Sequence, residues 1–203
     1  MTIDGVPVYF QDDWDTGIGG GLWSTGLALA RYFNTQHAVD NLRRISEGSS
    51  ELAIIELGSG NGVLAVCLAA CAAANNIRIK KLVISDMEDH LALMQKTVDA
   101  NPQAFQTVAN VRVEEYVWGS DTNDEVFDLI VGSDIAYGEH IYDPLIRSLK
   151  DRSHSRTVAL IGFTMMDTQP EFFDRVDAAG FCYKKVADHL LDPDFRGKTF
   201  GVF

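Results

Sequence analysis

One stretch decides the fold of this chain: Ile54-Ile55-Glu56-Leu57-Gly58-Ser59-Gly60-Asn61-Gly62. An apolar run, Leu52 to Leu57, leads into glycines at 58, 60 and 62, and the apolar segment Val63 to Ala74 follows at once. Glycine allows positive φ and lets a ligand approach the backbone closely. The start of the following helix offers unpaired N–H groups to a polar or anionic group. The stretch therefore predicts a strand, a ligand-binding turn and a helix.

The glycine spacing distinguishes between classes of ligand. A dinucleotide fingerprint needs a third glycine at position 63, where this chain has Val63, so a nucleotide-dependent oxidoreductase is disfavoured. Asp86 ends the next apolar run, and a carboxylate there can accept both ribose hydroxyls of an adenosine. The alternative is an ordinary strand-to-helix turn, with Asp86 capping the next helix. Glycines, acid and alternating elements together favour the ligand site.

Strands and helices alternate along the rest of the chain, which predicts an α/β fold with helices on both faces of a mostly parallel sheet. The predicted helices cover Ser24–His37, Val63–Ala74, Glu88–Ala100, Asp143–Lys150 and Pro170–Ala179. Seven strands are predicted, over Leu52–Leu57, Lys81–Ser85, Val111–Val117, Phe127–Gly132, Thr157–Phe163, Phe181–Ala187 and Lys198–Phe203. No helix separates the last two strands, which indicates an antiparallel last strand.

Three further motifs lie where ligands of such folds bind, at the carboxyl ends of strands. Trp118-Gly119 follows the third strand, Ser133-Asp134-Ile135-Ala136-Tyr137 follows the fourth, and Gly21-Leu22-Trp23 opens the first helix. Each has a structural alternative. Both tryptophans could be core aromatics, Asp134 a helix cap and Tyr137 a packed ring. Their joint placement favours a site.

Together these motifs resemble methyltransferase family 16, the class I seven-β-strand protein-lysine methyltransferases, over about positions 8 to 203. The resemblance implies a Rossmann-like domain, S-adenosyl-L-methionine as cofactor, no metal, and a lysine of a non-histone protein as acceptor. It implies cofactor contacts from Trp23, Glu56, Gly58, Gly60, Gly62, Asp86, Met87, Trp118 and Ser133.

The resemblance also assigns two catalytic residues. Asp134 is expected to orient the incoming amine, and Tyr137 to hold the lysine side chain by cation–π attraction. The chain departs from the family at Thr97, where an asparagine is usual, and at Thr164-Met165-Met166-Asp167, where an arginine often follows the strand. Phe203 falls within the expected last strand. These departures leave the acceptor protein undefined.

Length and composition place these motifs in one domain, residues 1–203, with residues 1–22 as an N-terminal extension or lid. The net charge of -12 disfavours nucleic acid and suits a basic protein partner, although it could serve solubility alone. No apolar run reaches the length of a membrane span and no secretory signal is present, so a cytoplasmic or nuclear location is expected. Cys67 and Cys71, four residues apart, suggest core packing more than metal binding.

Other functions remain open at this level. A small-molecule amine or a protein histidine could replace lysine as acceptor, and the domain could be an inactive methyltransferase-like binding module. An open face favours a protein over a small molecule, because residues 1–22 are the sole candidate for a lid. The intact glycine loop, Asp86 and D-x-x-Y motif disfavour an inactive module.

Overall fold

A six-stranded sheet forms the centre of the molecule in the computed structural model, which describes residues 1–47, 49, 51–120 and 124–203. Its strands are β3 (Leu52–Leu57), β4 (Ile79–Asp86), β5 (Val111–Glu115), β6 (Phe127–Ser133), β7 (Ser153–Thr164) and β8 (Phe200–Val202). They lie in the order β5-β4-β3-β6-β7-β8. The five strands from β3 to β7 are parallel and β8 is antiparallel to β7. The predicted α/β fold with a mostly parallel sheet is confirmed.

Helices cover both faces of this sheet, and a short hairpin of β1 (Thr2–Ile3) and β2 (Val6–Pro7) precedes them. They are α1 (Ser24–Tyr32), α2 (Gln36–Ser46), α3 (Val63–Ala74), α4 (Leu91–Asp99), α5 (Glu139–Asp151) and α6 (Pro170–Ala178). Within the described ranges, no helix has the length and apolar character needed to cross a membrane.

Two hydrophobic cores follow from the alternation of side chains along the strands. Ile54 belongs to the core beneath α1 to α4, and its neighbour Ile55 to the core beneath α5 and α6. Helix α3 is buried almost all round, because the sheet, α1 and the β1–β2 hairpin all pack on it. Cys67 and Cys71 lie in this helix as free thiols, and burial raises the pKa of both to about 12.

The single first helix predicted over Ser24–His37 is wrong, because α1 ends at Tyr32 and α2 begins at Gln36. Thr35 has an extended backbone, and its side chain accepts a hydrogen bond from the amide of Ala38. This N-cap starts a new helix. The apolar period continues across the break and hides it.

The prediction of seven strands is also wrong, because Phe181–Ala187 forms no strand. The Val186 amide donates to the Val202 carbonyl at 2.7 Å, so this segment runs beside β8. Strand β8 has three residues and pairs with Gly162–Thr164 of β7. Strand β8 is therefore too short to form a regular series of backbone hydrogen bonds with Phe181–Ala187 on its free edge.

Candidate functional site

A cavity of about 730 Å³ opens where the parallel strands end. It lies at the carboxyl edge of β3, β4, β6 and β7, where neighbouring connections leave the sheet in opposite directions and ligands bind in folds of this kind. The cavity is lined by ten of the eleven residues that the sequence suggested, namely Trp23, Glu56, Gly58, Gly60, Asp86, Met87, Trp118, Ser133, Asp134 and Tyr137.

Gly62 is the residue of that set outside the lining. It precedes α3 with a φ of 77°, and an added Cβ there would lie 3.4 Å from the Met94 Cα. Its left-handed conformation starts the helix. Gly62 therefore supports the conformation of the glycine loop without lining the cavity.

The glycine loop is tightly covered on the cavity side. Gly58 and Gly60 have φ values of 64° and 57°, which glycine adopts without strain. A Cβ on Gly58 would lie 2.8 Å from Ile135 and 3.0 Å from the Trp118 indole. A Cβ on Gly60 would lie 2.3 Å from the Gly19 carbonyl oxygen. Side chains at either position would push away the groups that wall the cavity.

The Asp86 carboxylate is held in one orientation by two backbone amides. Gly60 donates to its Oδ2 at 2.6 Å and Met87 to its Oδ1 at 2.7 Å. Each carboxylate oxygen can accept more than one hydrogen bond, so both oxygens can still receive a hydroxyl group. This arrangement suits a ligand with two neighbouring hydroxyls.

Glu56 is a buried carboxyl group at the floor of the cavity. Burial raises its pKa to about 8, against hydrogen bonds from Ser59 and from the Ala65 amide that lower it. The Ala65 amide donates to Oε2 at 3.0 Å. Burial therefore favours the protonated form of Glu56, and a cation beside it would favour the ionised form.

Asp134 combines a cavity position with a contact to the first helix. Its φ of 54° is left-handed, and the Thr164 hydroxyl donates to its Oδ1 at 2.6 Å. The Thr25 amide at the start of α1 also hydrogen-bonds to it, while Trp23 provides that helix with no side-chain cap. Burial raises the pKa of Asp134, and these hydrogen bonds oppose the rise.

Aromatic side chains stand at the mouth of the cavity. Tyr137 is 55% exposed and lies near His140, and Trp23 is 47% exposed. Trp14 meets Trp23 edge to face, with 5.8 Å between ring centroids. Exposed rings of this size favour contact with a partner more than a role in the core.

The N-terminal extension divides into two parts with different neighbours. The β1–β2 hairpin packs on α3, away from the cavity, whereas the cavity lining begins at Thr16. Asp12 fastens this second part, because its Oδ1 accepts from the Leu22 amide at 3.0 Å and from the Asn61 side chain at 3.2 Å. Residues 12–22 therefore cover the glycine loop.

Sequence reasoning assigned no role to several residues of this site. The glycine stretch includes Asn61, and the segment after the strand ending at Phe163 includes Thr164 and Asp167, but no function was predicted for these three residues. Their positions directly after strands were the signal that could have identified them. Asp12 had no signal, because its partner Asn61 is 49 residues away. The departure at Thr97 lies in the core, where its hydroxyl donates to the Leu93 carbonyl within α4.

The ionisable side chains around the cavity are mostly acidic. Among the described residues its lining contains no lysine or arginine, and its single histidine is His90. It contains five acids, Glu56, Asp86, Asp89, Asp134 and Asp167. A cavity of this charge attracts cations.

A family model described as "Lysine methyltransferase" matches residues 3–179. The Candida glabrata protein N-terminal and lysine N-methyltransferase EFM7 is 25% identical over 181 residues, which cover 81% of this chain and 64% of that protein. The Danio rerio protein N-lysine methyltransferase METTL21A is 27% identical over 178 residues, 85% of this chain and 73% of that protein. Saccharomyces cerevisiae EFM6, a protein-lysine N-methyltransferase, is 21% identical over 71% of this chain and 62% of its own length. The chain thus spans less than two thirds of EFM7 and EFM6.

Solved structures support the fold. A TehB-like SAM-dependent methyltransferase from Corynebacterium glutamicum superposes with a TM-score of 0.54 at 18% identity, covering 79% of this chain and 83% of that chain. A precorrin-6y C5,15-methyltransferase from Geobacter metallireducens has a TM-score of 0.56 at 12% identity, covering 89% and 86%. At such low identity the likeness concerns the Rossmann-like fold of class I methyltransferases.

Proposed function

The chain belongs to the lysine methyltransferase family, and from that premise we propose that it is a protein-lysine N-methyltransferase that uses S-adenosyl-L-methionine. The observation that carries the proposal is the acidic cavity at the strand ends, which is lined by the glycine loop and by Asp134. Both reactants are cationic, and this lining is matched to two cations. We propose a non-histone protein as the acceptor.

The residues present fit the cofactor. Asp86 keeps accepting capacity for two ribose hydroxyls, and Gly58 and Gly60 line the cavity where the methionine part would lie. Glu56 offers a negative charge to an ammonium group, which would favour its ionised form. Apolar side chains in the cavity lining could receive the adenine, namely Val117, Trp118, Ile141 and Pro144. When bound, the cofactor supplies an electrophilic methyl group on a sulfonium.

The remaining task of the chain is to bring a lysine amine to that methyl group. An unperturbed lysine has a pKa of about 10.4, and a neighbouring positive charge with partial burial lowers it. Asp134 would orient the amine, held in place by Thr164. Tyr137, exposed at the mouth, would contact the lysine side chain through its ring. Residues 12–22 would act as the lid over the cofactor.

Asp86→Ala is expected to weaken binding of S-adenosylhomocysteine about 10- to 100-fold, because two hydroxyl contacts to a charged group are lost. The Gly60 amide also loses its acceptor. Isothermal titration calorimetry measures the change, with Asp99→Ala on the exposed side of α4 as the charge-matched control. Equal affinity in wild type and Asp86→Ala would contradict this placement of the ribose.

Methyl transfer from radiolabelled S-adenosyl-L-methionine into a lysate of the source organism tests the function. Wild type and Asp134→Asn are compared, and labelled proteins are separated and hydrolysed. A band present with wild type alone that yields methyl-lysine supports the proposal. Methyl-histidine or a methylated N-terminal amine would change the acceptor. Cofactor binding without labelled protein would favour a small-molecule amine acceptor or an inactive module.

Charge and cysteine state support a proposed partner and location. The net charge of -12 and the acidic cavity favour a lysine in a basic segment of the substrate and disfavour nucleic acid. Cys67, Cys71 and Cys182 are free thiols, as is usual in reducing compartments, which supports action in the cytoplasm or nucleus.

A further inference from the structure

The turn after β7 is fastened to the loop that holds Asp134. The Thr164 hydroxyl donates to the Asp134 carboxylate at 2.6 Å, and the Thr168 hydroxyl donates to the Ala136 carbonyl at 2.9 Å. Within the turn, the amides of Asp167 and Thr168 donate to the Thr164 carbonyl at 3.1 Å and 2.9 Å. The position of Asp167 relative to Asp134 is therefore set by hydrogen bonds at both ends of the turn.

Asp167 is an exposed acid at the mouth of the same cavity. It is near enough to Asp134 for its charge to contribute to the raised pKa of that group. Within the described residues, no lysine, arginine or histidine nitrogen forms an ion pair with either acid. Two carboxylates close together without a cation between them favour binding of one.

We propose that Asp167 is a specificity-determining residue that pairs with the acceptor ammonium at the mouth of the cavity and thereby selects cationic amines over neutral imidazole. This inference rests on the proposed function and names the class of acceptor. Tyr137, which lines the cavity and is 55% exposed, can contact the methylene groups of a lysine side chain.

The ammonium enters between the two carboxylates and releases one proton to water at the open mouth. The neutral nitrogen then forms a bond to the methyl carbon as the carbon–sulfur bond breaks, and that electron pair stays on sulfur. The product leaves as a methylammonium ion, which the carboxylates of Asp134 and Asp167 can also bind.

The test compares two cofactor analogues by calorimetry, and so needs neither the substrate nor turnover. Sinefungin has an amine-bearing carbon in place of the methylated sulfur, so its ammonium lies toward the acceptor end, whereas S-adenosylhomocysteine has no charge there. Asp167→Asn is expected to weaken sinefungin about three- to fivefold and to leave S-adenosylhomocysteine within about twofold. Asp167→Glu should restore most of the sinefungin affinity.

Asp99→Asn is the charge-matched control, because it removes one charge from an exposed acid of α4 that does not line the cavity. Its ratio of the two affinities should equal that of wild type. An equal ratio in Asp167→Asn as well would overturn the inference while leaving the proposed function intact. Failure of wild type to bind either analogue would instead contradict the proposed function.

Discussion

Asp134→Asn is expected to lower turnover about 10²- to 10³-fold while S-adenosylhomocysteine affinity stays within about twofold of wild type. Asparagine keeps the shape of the side chain and tolerates the left-handed backbone at this position, where φ is 54°. Its side-chain oxygen can also still accept from the Thr164 hydroxyl. The substitution therefore removes the charge and leaves the loop tied to the turn after β7.

Single-turnover rates with the identified substrate and calorimetry with S-adenosylhomocysteine measure the two effects. Thr164→Val is the matched control, since it removes the hydrogen bond to Asp134 but keeps the carboxylate. We expect it to reduce the rate by about tenfold or less. A normal rate in Asp134→Asn would exclude Asp134 as the residue that orients the amine.

Glu56→Gln is expected to remove a large part of the pH dependence of stability. The pKa of Glu56 rises from an ordinary value of 4.5 to about 8 on folding. Between these values the folded protein holds a proton that the unfolded chain has lost, so stability is greatest at low pH and falls as pH rises. Each pH unit in this window lowers the free energy of unfolding by about 1.4 kcal/mol, or about 4–5 kcal/mol over the whole window as an upper bound.

Denaturant unfolding of wild type and Glu56→Gln at pH 5.5, 7 and 8.5 measures this effect as the difference between the two proteins. Glutamine can still accept from the Ala65 amide. The variant should gain stability relative to wild type as pH rises, and Glu47→Gln, at an exposed site, controls for the change in net charge. A pH-independent difference between wild type and Glu56→Gln would show that Glu56 ionises normally in the fold.

The central strand, loop and helix were predictable from sequence with high accuracy. Leu52–Leu57 and Val63–Ala74 have the predicted bounds, because a continuous apolar run, punctuated by glycines, is a local signal of burial and of turn geometry. The break at Thr35 and the irregular segment Phe181–Ala187 were missed. In both cases the local apolar pattern matches the predicted element. At Thr35 the N-cap ends the continuity of the helix, and beside Phe181–Ala187 the neighbouring strand β8 is too short to pair with a full strand.

The sequence by itself determined the order of the helices and strands, and it showed which candidate residues follow the carboxyl ends of strands. Topology then brings those ends to one edge, so the lining of the cavity by Glu56, Asp86 and Ser133 could be anticipated. Tertiary structure alone decided that Asp12 fastens residues 12–22 to Asn61 and that the turn carrying Asp167 is tied to Asp134 through Thr164. Hydrogen bonds between polar side chains that are distant in sequence produce no periodic pattern in the sequence. Local sequence specifies each helix and strand, but the packing of these elements against one another determines which polar side chains meet.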